Sequence, residues 1–282
     1  MRIAVIIPAA GASARYLRSV DAHGATPQRH KIDEDLGGRP VLHRTVELFT
    51  KHPDVATIIV AGPAEDRAWS AFVSRHGDKL GILGVKLCRG GAEHRYQTVS
   101  LALAHVPEEC THVAVHDAAR PCASDRLIER VFDAAREGHP AVIPGVDAPD
   151  TLKRVDPDGV KSSTPDPLAA ILGTGGAGED GAAAAKFIGR HVRETVDRSG
   201  VVCVQTPQVF ERGLLLRAYA QKDLTSTDDA QLVERLGEKV LVVAGEVTNI
   251  KVTHAPDLGL ARAILGVKGP EGGMDKPAHR RF

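Results

Sequence analysis

Several stretches of the chain combine residue types that could manage a polyphosphate. After the β-branched run Ile3–Ile7 comes Pro8-Ala-Ala-Gly-Ala-Ser-Ala-Arg15, a loop made of almost nothing but small side chains. Pro8, Ala9, Ala10, Gly11 and Ala12 would let phosphate oxygens approach the main chain, whose N–H groups can hold them. Arg15 closes the loop with a fixed, forked cation, and Lys31 stands a little before Gly37-Gly-Arg-Pro40. The reading is a nucleoside triphosphate site with Arg15 and Lys31 as its cations. It is not a Walker loop, since no Gly-Lys-Ser/Thr follows. Nor is it the dinucleotide fingerprint, since Gly11-Ala-Ser13 lacks the second glycine.

Two later stretches add to this set. Arg89-Gly-Gly-Ala-Glu-His-Arg-Tyr-Gln-Thr98 follows an apolar run. The turn Gly90-Gly91-Ala92 would let a flat base or ribose lie against the backbone, while Thr98 could either cap the next helix or hydrogen-bond the base. His116-Asp-Ala-Ala-Arg-Pro121 puts an acid, Asp117, and a cation, Arg120, at the end of another apolar run. A binding site and a structural Asp–Arg pair both fit that string.

The elements that must position these residues follow from periodicity. Strands are expected at 3–7, 55–61, 82–88, 112–116, 141–144, 201–207 and 239–244. Helices are expected at 40–51, 65–76, 95–106, 125–137, 211–222, 228–236 and 256–265, with Ser226 and Thr227 as candidate caps for the sixth of these. Strands alternating with helices predict a mostly parallel sheet covered on both faces, with ligands beyond the carboxyl ends of its strands. Asp150–Val155 and Glu194–Arg198 are short, polar and β-prone and read as two limbs of an extended arm, about 147–199. Between them, about 162–191 is rich in Pro, Gly and Ala and reads as a flexible insertion. Residues 267–282 read as a disordered tail behind a single domain, 1–266.

Composition excludes several classes. Lys+Arg and Asp+Glu balance at 36 each, which argues against a nucleic-acid partner, and aromatic residues are only 4%, too few for stacking platforms. Cys88, Cys110, Cys122 and Cys203 lack metal-ligand spacing and read as reduced thiols, mostly buried. No apolar run approaches a membrane span and the N-terminal run is not a signal peptide, so a soluble, cytoplasmic protein without a membrane partner is the expectation.

Taken together, the ordered strings resemble one family, the 2-C-methyl-D-erythritol 4-phosphate cytidylyltransferases. They are Pro8-Ala-Ala-Gly11 with Arg15, Lys31, Gly90-Gly91 with Arg95 and Thr98, His116-Asp-Ala-Ala-Arg-Pro121, Asp150-Thr151, Thr195-Val-Asp-Arg198, Thr206-Pro-Gln208, Thr227-Asp228 and Asn249-Ile-Lys-Val-Thr253. The resemblance runs from Ile3 to about Leu265. It implies a Rossmann-like nucleotidyltransferase fold with a protruding β-arm exchanged between the subunits of a homodimer. It also implies CTP and methylerythritol phosphate as substrates and Mg²⁺ as cofactor, held mainly by the CTP phosphates. No set of protein ligands for that ion can be read from the chain, and Asp117 is the candidate neighbour.

Residue by residue, the resemblance makes Arg15, Lys31, Arg198 and Lys251 the catalytic cations. The nucleotide falls to Pro8, Ala9, Ala10, Gly11, Ala12, Gly90, Gly91, Ala92, Thr98 and Asp117. The polyol phosphate falls to Asp117, Arg120, Thr151, Arg198 and Lys251. The chain departs from the family pattern where Ser13 replaces a glycine, where Ile32-Asp33 follow the lysine, and in a longer segment between Arg15 and Lys31. Two other readings compete: a cytidylyltransferase for another polyol phosphate such as ribitol phosphate, and a catalytically silent nucleotide-binding protein.

Overall fold

A computed structural model describes residues 1–21, 29–161 and 188–269. The chain divides into two compact units, Met1–Val146 with Val204–Phe282, and Asp147–Cys203. In the first unit, β1 (Ile3–Pro8), β2 (Val55–Gly62), β3 (Lys86–Arg89) and β4 (His112–Val115) are parallel neighbours in the order β4-β1-β2-β3. Next to β4 the sheet continues through β11 (Gln208–Glu211), antiparallel to both β4 and β5 (Ala141–Asp147), while β12 (Leu241–Ala244) lies parallel to β5. The sheet is thus mostly parallel, as expected, with one reversed strand absent from the sequence reading.

Helices cover both faces, and β1 shows why its sequence reads as continuously apolar. Ile3, Val5 and Ile7 point into one cluster with Leu42, Val46, Phe49, Phe72, Leu127 and Phe132. Ala4 and Ile6 point into another with Val99, Leu103, Leu214, Leu215 and Val233. A strand buried on both faces has no polar side to alternate with. The first cluster is built by α2 (Val41–Glu47), α3 (Asp66–Ile82) and α5 (Asp125–Arg136). The second is built by α4 (Arg95–Leu103), α6 (Arg212–Tyr219) and α7 (Asp229–Glu234). A third, smaller cluster joins Tyr16 of α1 (Ala14–Asp21) to Leu36, Val41, Val252 and to Leu258 and Ala261 of α8 (Pro256–Leu265).

Several boundaries differ from the sequence reading, each for a local reason. The strand expected at 82–88 begins only at Lys86: α3 runs on to Ile82, which is 84% exposed, and Gly84 at φ +72° turns the chain. Residues 14–21, where no helix was expected, form one held by burial of Tyr16. Helix α7 is capped by Asp228, whose carboxylate accepts from Gln231 N–H, and not by Ser226 or Thr227. The strand expected at 201–207 covers only Val202–Val204 and is followed by β11, because the Thr206–Pro207 peptide interrupts the run.

The second unit is a pair of antiparallel ribbons. β6 (Leu152–Val155) pairs with β9 (Val192–Val196), and β7 (Val160–Lys161) with β8 (Ile188–Gly189). Arg154 Nε meets Glu194 Oε1 across the first ribbon at 2.5 Å. Of the expected insertion, 162–187 lies outside the described residues, as do 270–282 of the expected tail. The chain leaves this unit through β10 (Val202–Val204).

Gly37 has φ +70°, and a Cβ there would lie 2.5 Å from Cβ of Val267. Val267 is itself tied back by its N–H to Arg262 O at 3.0 Å. Gly37→Ala therefore meets both backbone strain and a clash, and should lower stability by about 1–3 kcal/mol in a denaturant titration. An unchanged midpoint would show that Val267 does not pack there.

Candidate active site

Three strand ends supply the site. At the end of β1, Ala9 N–H still donates to Ala61 O at 2.8 Å, so the ladder continues one residue past Pro8 before the loop opens. Ser13 then takes a left-handed φ of +55°, a conformation that favours glycine. Leu17 N–H donates to Ser13 O at 3.0 Å, and α1 begins with Arg15 in its first turn. Pro8, Ala9, Ala10, Gly11 and Arg15 line a cavity of about 260 Å³, with Gly91, Ala92, Arg95 and Thr98 from the β3–α4 segment, Asp117 after β4, Lys31 and Lys251. The cavity lies beyond the carboxyl ends of β1, β3 and β4, where the sequence reading looked for a ligand site.

The glycine pair has a packing reason that the sequence reading did not include. A Cβ on Gly90 would lie 2.6 Å from Thr98 Cγ2 and 2.9 Å from Ala10 Cβ, and one on Gly91 would lie 2.4 Å from Gln97 Cβ. The missing side chains therefore make room for neighbouring protein groups. Thr98 sits inside α4 and does not cap it: its hydroxyl accepts from Gly91 N–H at 3.1 Å, and the cap position belongs to His94, whose N–H donates to Gln97 Oε1 at 3.1 Å.

Asp117 is the electrostatic centre. Lys251 Nζ lies 2.8 Å from its Oδ2, Arg95 Nε 3.4 Å from its Oδ1 and Arg120 Nε 3.5 Å from its Oδ2. Burial alone would raise its pKa, but Lys251, Arg95 and Arg120 together hold it well below the usual carboxylate range. Arg95 is in turn fixed by Asp229, with Nη2 to Oδ2 at 2.7 Å, and Tyr219 OH donates to Asp229 Oδ1 at 2.5 Å. Burial opposes the charge of Arg95, yet Asp229 and Asp117 outweigh it and keep the guanidinium firmly protonated. Lys31 Nζ donates to Val252 O at 3.1 Å; burial, then the nearby charges of Lys251 and Arg15, lower its pKa to about 8.

The specific strings interlock through main-chain bonds. Val252 N–H donates to Ala119 O at 2.8 Å, and Arg120 Nη1 donates to Asn249 O at 2.7 Å. The Asn249 side-chain amide donates to Thr206 O at 2.9 Å, and Thr206 Oγ1 accepts from Asp117 N–H at 3.1 Å. His116 is fully buried; its Nε2 donates to Arg120 O at 3.0 Å and its Nδ1 accepts from Thr206 Oγ1 at 3.2 Å. Both ring nitrogens are thus committed to structure, which leaves neither free to act as a base.

A second cavity of about 430 Å³ shares Arg95, Asp117 and Lys251 with the first and adds Arg120, Thr206, Gln208 and Asp228. Of the residues picked from sequence, Ala12 and Gly90 line neither cavity, and Arg120 lines only the second. Thr151 and Arg198 belong to the ribbon unit, where Arg198 Nη1 donates to Ala148 O at 3.3 Å and also to Pro149 O. Sequence reasoning assigned no role to Arg95, Tyr219 or Asp229. Arg95 entered only as part of the family string around the Gly-Gly turn, and nothing in the spacing links it to Tyr219 and Asp229.

Among the described residues no group of three or more His, Cys, Asp or Glu side chains could cage a metal ion. Asp117 and Glu93 are the carboxylates that line the first cavity. One or two carboxylates suit Mg²⁺ only when substrate phosphates supply the remaining oxygens.

A family model described as IspD, 2-C-methyl-D-erythritol 4-phosphate cytidylyltransferase, matches residues 3–170 and 181–267. The chain belongs to this family. The enzyme of that name from Frankia casuarinae is 38% identical over 94% of this chain and 81% of its own length. That from Solibacter usitatus is 35% identical over 94% of this chain and 96% of its own. The crystal structure of the Thermus thermophilus IspD superposes with a TM-score of 0.62 at 31% identity, covering 95% of this chain and all of that one. A 4-diphosphocytidyl-2C-methyl-D-erythritol synthase from Anaerococcus prevotii gives 0.65 at 26% identity, covering 94% and 98%. The IspD family model skips 171–180, inside the Gly/Ala-rich stretch. Among the described residues no helix is long and apolar enough to cross a membrane.

Burial lowers the pKa of His116 from 6.5 to about 4. Between those values the unfolded chain binds more protons than the folded one, so this histidine's contribution to stability is lost as pH falls through that window. The imidazole should therefore remain neutral at pH 5.5 by NMR. A charged ring at that pH would mean that the pocket is wetter than the structure has it.

Proposed function

We propose that the protein transfers CMP from CTP to 2-C-methyl-D-erythritol 4-phosphate, forming 4-diphosphocytidyl-2-C-methyl-D-erythritol and pyrophosphate. Beyond family membership, the observation that carries this reading is a pair of adjoining cavities whose common wall is Arg95, Asp117 and Lys251. The first holds the nucleotide against the Pro8–Gly11 main chain. The second holds the polyol phosphate, next to Arg120 and Lys251. A phosphate oxygen attacks the α-phosphorus of CTP, the bond from that phosphorus to the bridging oxygen breaks, and pyrophosphate leaves with the electron pair.

No protein nucleophile or base is needed, because a phosphate dianion is already a nucleophile. The protein must instead bring two anions together and stabilise the extra charge at the five-coordinate phosphorus. Arg15 and Lys31 face the triphosphate from one side of the cavity, and Lys251 stands at the shared wall. Asp117 keeps Lys251, Arg95 and Arg120 in place, so that their mutual repulsion does not splay them before the substrates arrive. A divalent metal, with Mg²⁺ as our choice, would neutralise charge on the leaving phosphates. Asp117 and Glu93 are the carboxylates near enough to the cavity to contact its hydration shell.

The assignment of Thr151 and Arg198 to the polyol phosphate rests on the resemblance. With it goes the proposal that 1–266 is one catalytic domain whose segment 147–199 is an arm exchanged between the subunits of a homodimer. The assay that tests the reaction is pyrophosphate release from CTP with methylerythritol phosphate and ribitol phosphate side by side. We expect turnover with the first, and a preference for ribitol phosphate would overturn the substrate. Because free Lys31 titrates near pH 8, kcat/KM for CTP should fall as the pH rises past that value, and Lys31→Ala should remove this limb of the profile.

The arm is tested by mixing. Arg198→Ala and Lys251→Ala proteins should each be nearly inactive. If subunits exchange and the arm serves the partner's site, heterodimers contain one site spoiled twice and one intact, so activity should partly return. Exchange without recovery would place Arg198 in the service of its own chain.

A further inference from the structure

Lys31 sits on a short turn with anchors on both sides of it. On its N-terminal side, His30 Nδ1 lies 3.0 Å from Ser13 Oγ, which ties the turn to the nucleotide loop. On its C-terminal side, Asp33 N–H donates to His30 O at 2.8 Å, closing the turn, and Leu42 N–H donates to Ile32 O at 3.0 Å. The side chain of Asp33 is only 5% exposed. Its Oδ1 accepts from His76 Nε2 at 2.8 Å, and its Oδ2 pairs with Arg75.

The buried chain continues one step further. A carboxylate can only accept, so His76 Nε2 carries the proton of its bond to Asp33. Behind it, His43 Nε2 lies 3.0 Å from His76 Nδ1. Both rings are buried, and His43 is held neutral, its pKa lowered to about 4 by burial and then by His76 and Lys79. Asp33 is thus held through both carboxylate oxygens, Oδ1 by His76 and Oδ2 by Arg75, with His43 bonded to His76 from behind. Such a chain, buried and fully paired, is stiff.

A buried carboxylate two residues from a cation of the site, clamped by Arg75 and His76 of α3, has no partner in the reaction itself. We propose that Asp33, gripped by His76 and Arg75, is a positioning residue for Lys31 and holds its Nζ against the wall of the nucleotide cavity. The inference rests on the cytidylyl-transfer reading for its kinetic consequence, but the geometry it describes belongs to the free protein. His30 and Ser13 supply the opposite anchor, so the turn is fixed relative to both the sheet helices and the loop after β1.

A double-mutant cycle separates positioning from general stability. Asp33→Asn should lower kcat about tenfold, the scale expected when a reacting cation is displaced by a fraction of an ångström, while KM for CTP moves less than about threefold. In a Lys31→Ala background the same change should cost less than about twofold, because there is no longer a cation to misplace. An equal fold loss in both backgrounds overturns the proposal. Arg75 is half-exposed, so Arg75→Met removes one clamp without opening the core. If Asp33→Asn does not fold, this variant takes its place in the cycle, with a smaller loss in the same sense.

A second readout needs no turnover. The pH dependence of Lys31 acetylation by acetic anhydride, followed by peptide mass, should have its midpoint near 8 in the unaltered protein. In Asp33→Asn or Arg75→Met it should rise toward the ordinary lysine value as Nζ gains access to water. An unmoved midpoint counts against positioning. Absence of CTP turnover in the unaltered protein would strike the functional reading and leave this arm to decide the geometry.

Discussion

The structure of the site depends on one carboxylate. Asp117 stands among Lys251, Arg95 and Arg120, and without it three like charges would face one another across a few ångströms of partly desolvated space. In such surroundings the repulsion is not screened as it is at the surface. Asp117 converts it into a network in which every cation has a fixed place. The carboxylate is itself placed by backbone: its N–H bonds Thr206 Oγ1, and the His116 ring beside it is locked at both nitrogens. The cost of burying charges is met because each has a partner and most have hydrogen bonds as well.

From that centre the chain connections make sense. Residues 116–121, 205–208 and 249–253 are far apart in sequence, yet they share main-chain and amide bonds around Asn249 and Thr206. The result is a floor of backbone under the cations. Both cavities draw lining residues from these segments, and their shared wall is what lets two anionic substrates be read as neighbours and not as competitors.

Much of this was legible in sequence, and the limits have physical causes. The parallel core was readable because β1, β2 and β4 are buried on both faces and carry unbroken apolar runs. Asp117, Arg15 and Lys31 were picked out because charged residues beside buried strands or small-residue loops are unusual, and Lys251 through the family resemblance alone; all four line the first cavity. The reversed strand β11 was missed because Gln208–Glu211 is short and follows Pro207, so propensity gave it no advantage over loop. The strand at 82–88 was drawn too long because Ile82-Leu83 fits either period, and only Gly84 decides the matter. Tyr219 and Asp229 escaped because their role exists only through Arg95, and a hydrogen bond between distant segments leaves no spacing to count. That Gly90 and Gly91 are also crowded by Thr98, Ala10 and Gln97 was not legible, since sequence does not say which side of a turn is packed.

The double burial of β1 constrains how this protein can change in length. Its odd residues serve one core and its even residues the other. Removing or adding one residue would exchange the two sets and would also reverse the direction in which the loop after Pro8 leaves the sheet. Core and site would fail together, so the strand has no tolerated intermediate through which an insertion could pass. Length variation falls elsewhere along the chain: the family pattern passes over 171–180. The chain thus separates a segment with fixed parity from one that can be lengthened residue by residue.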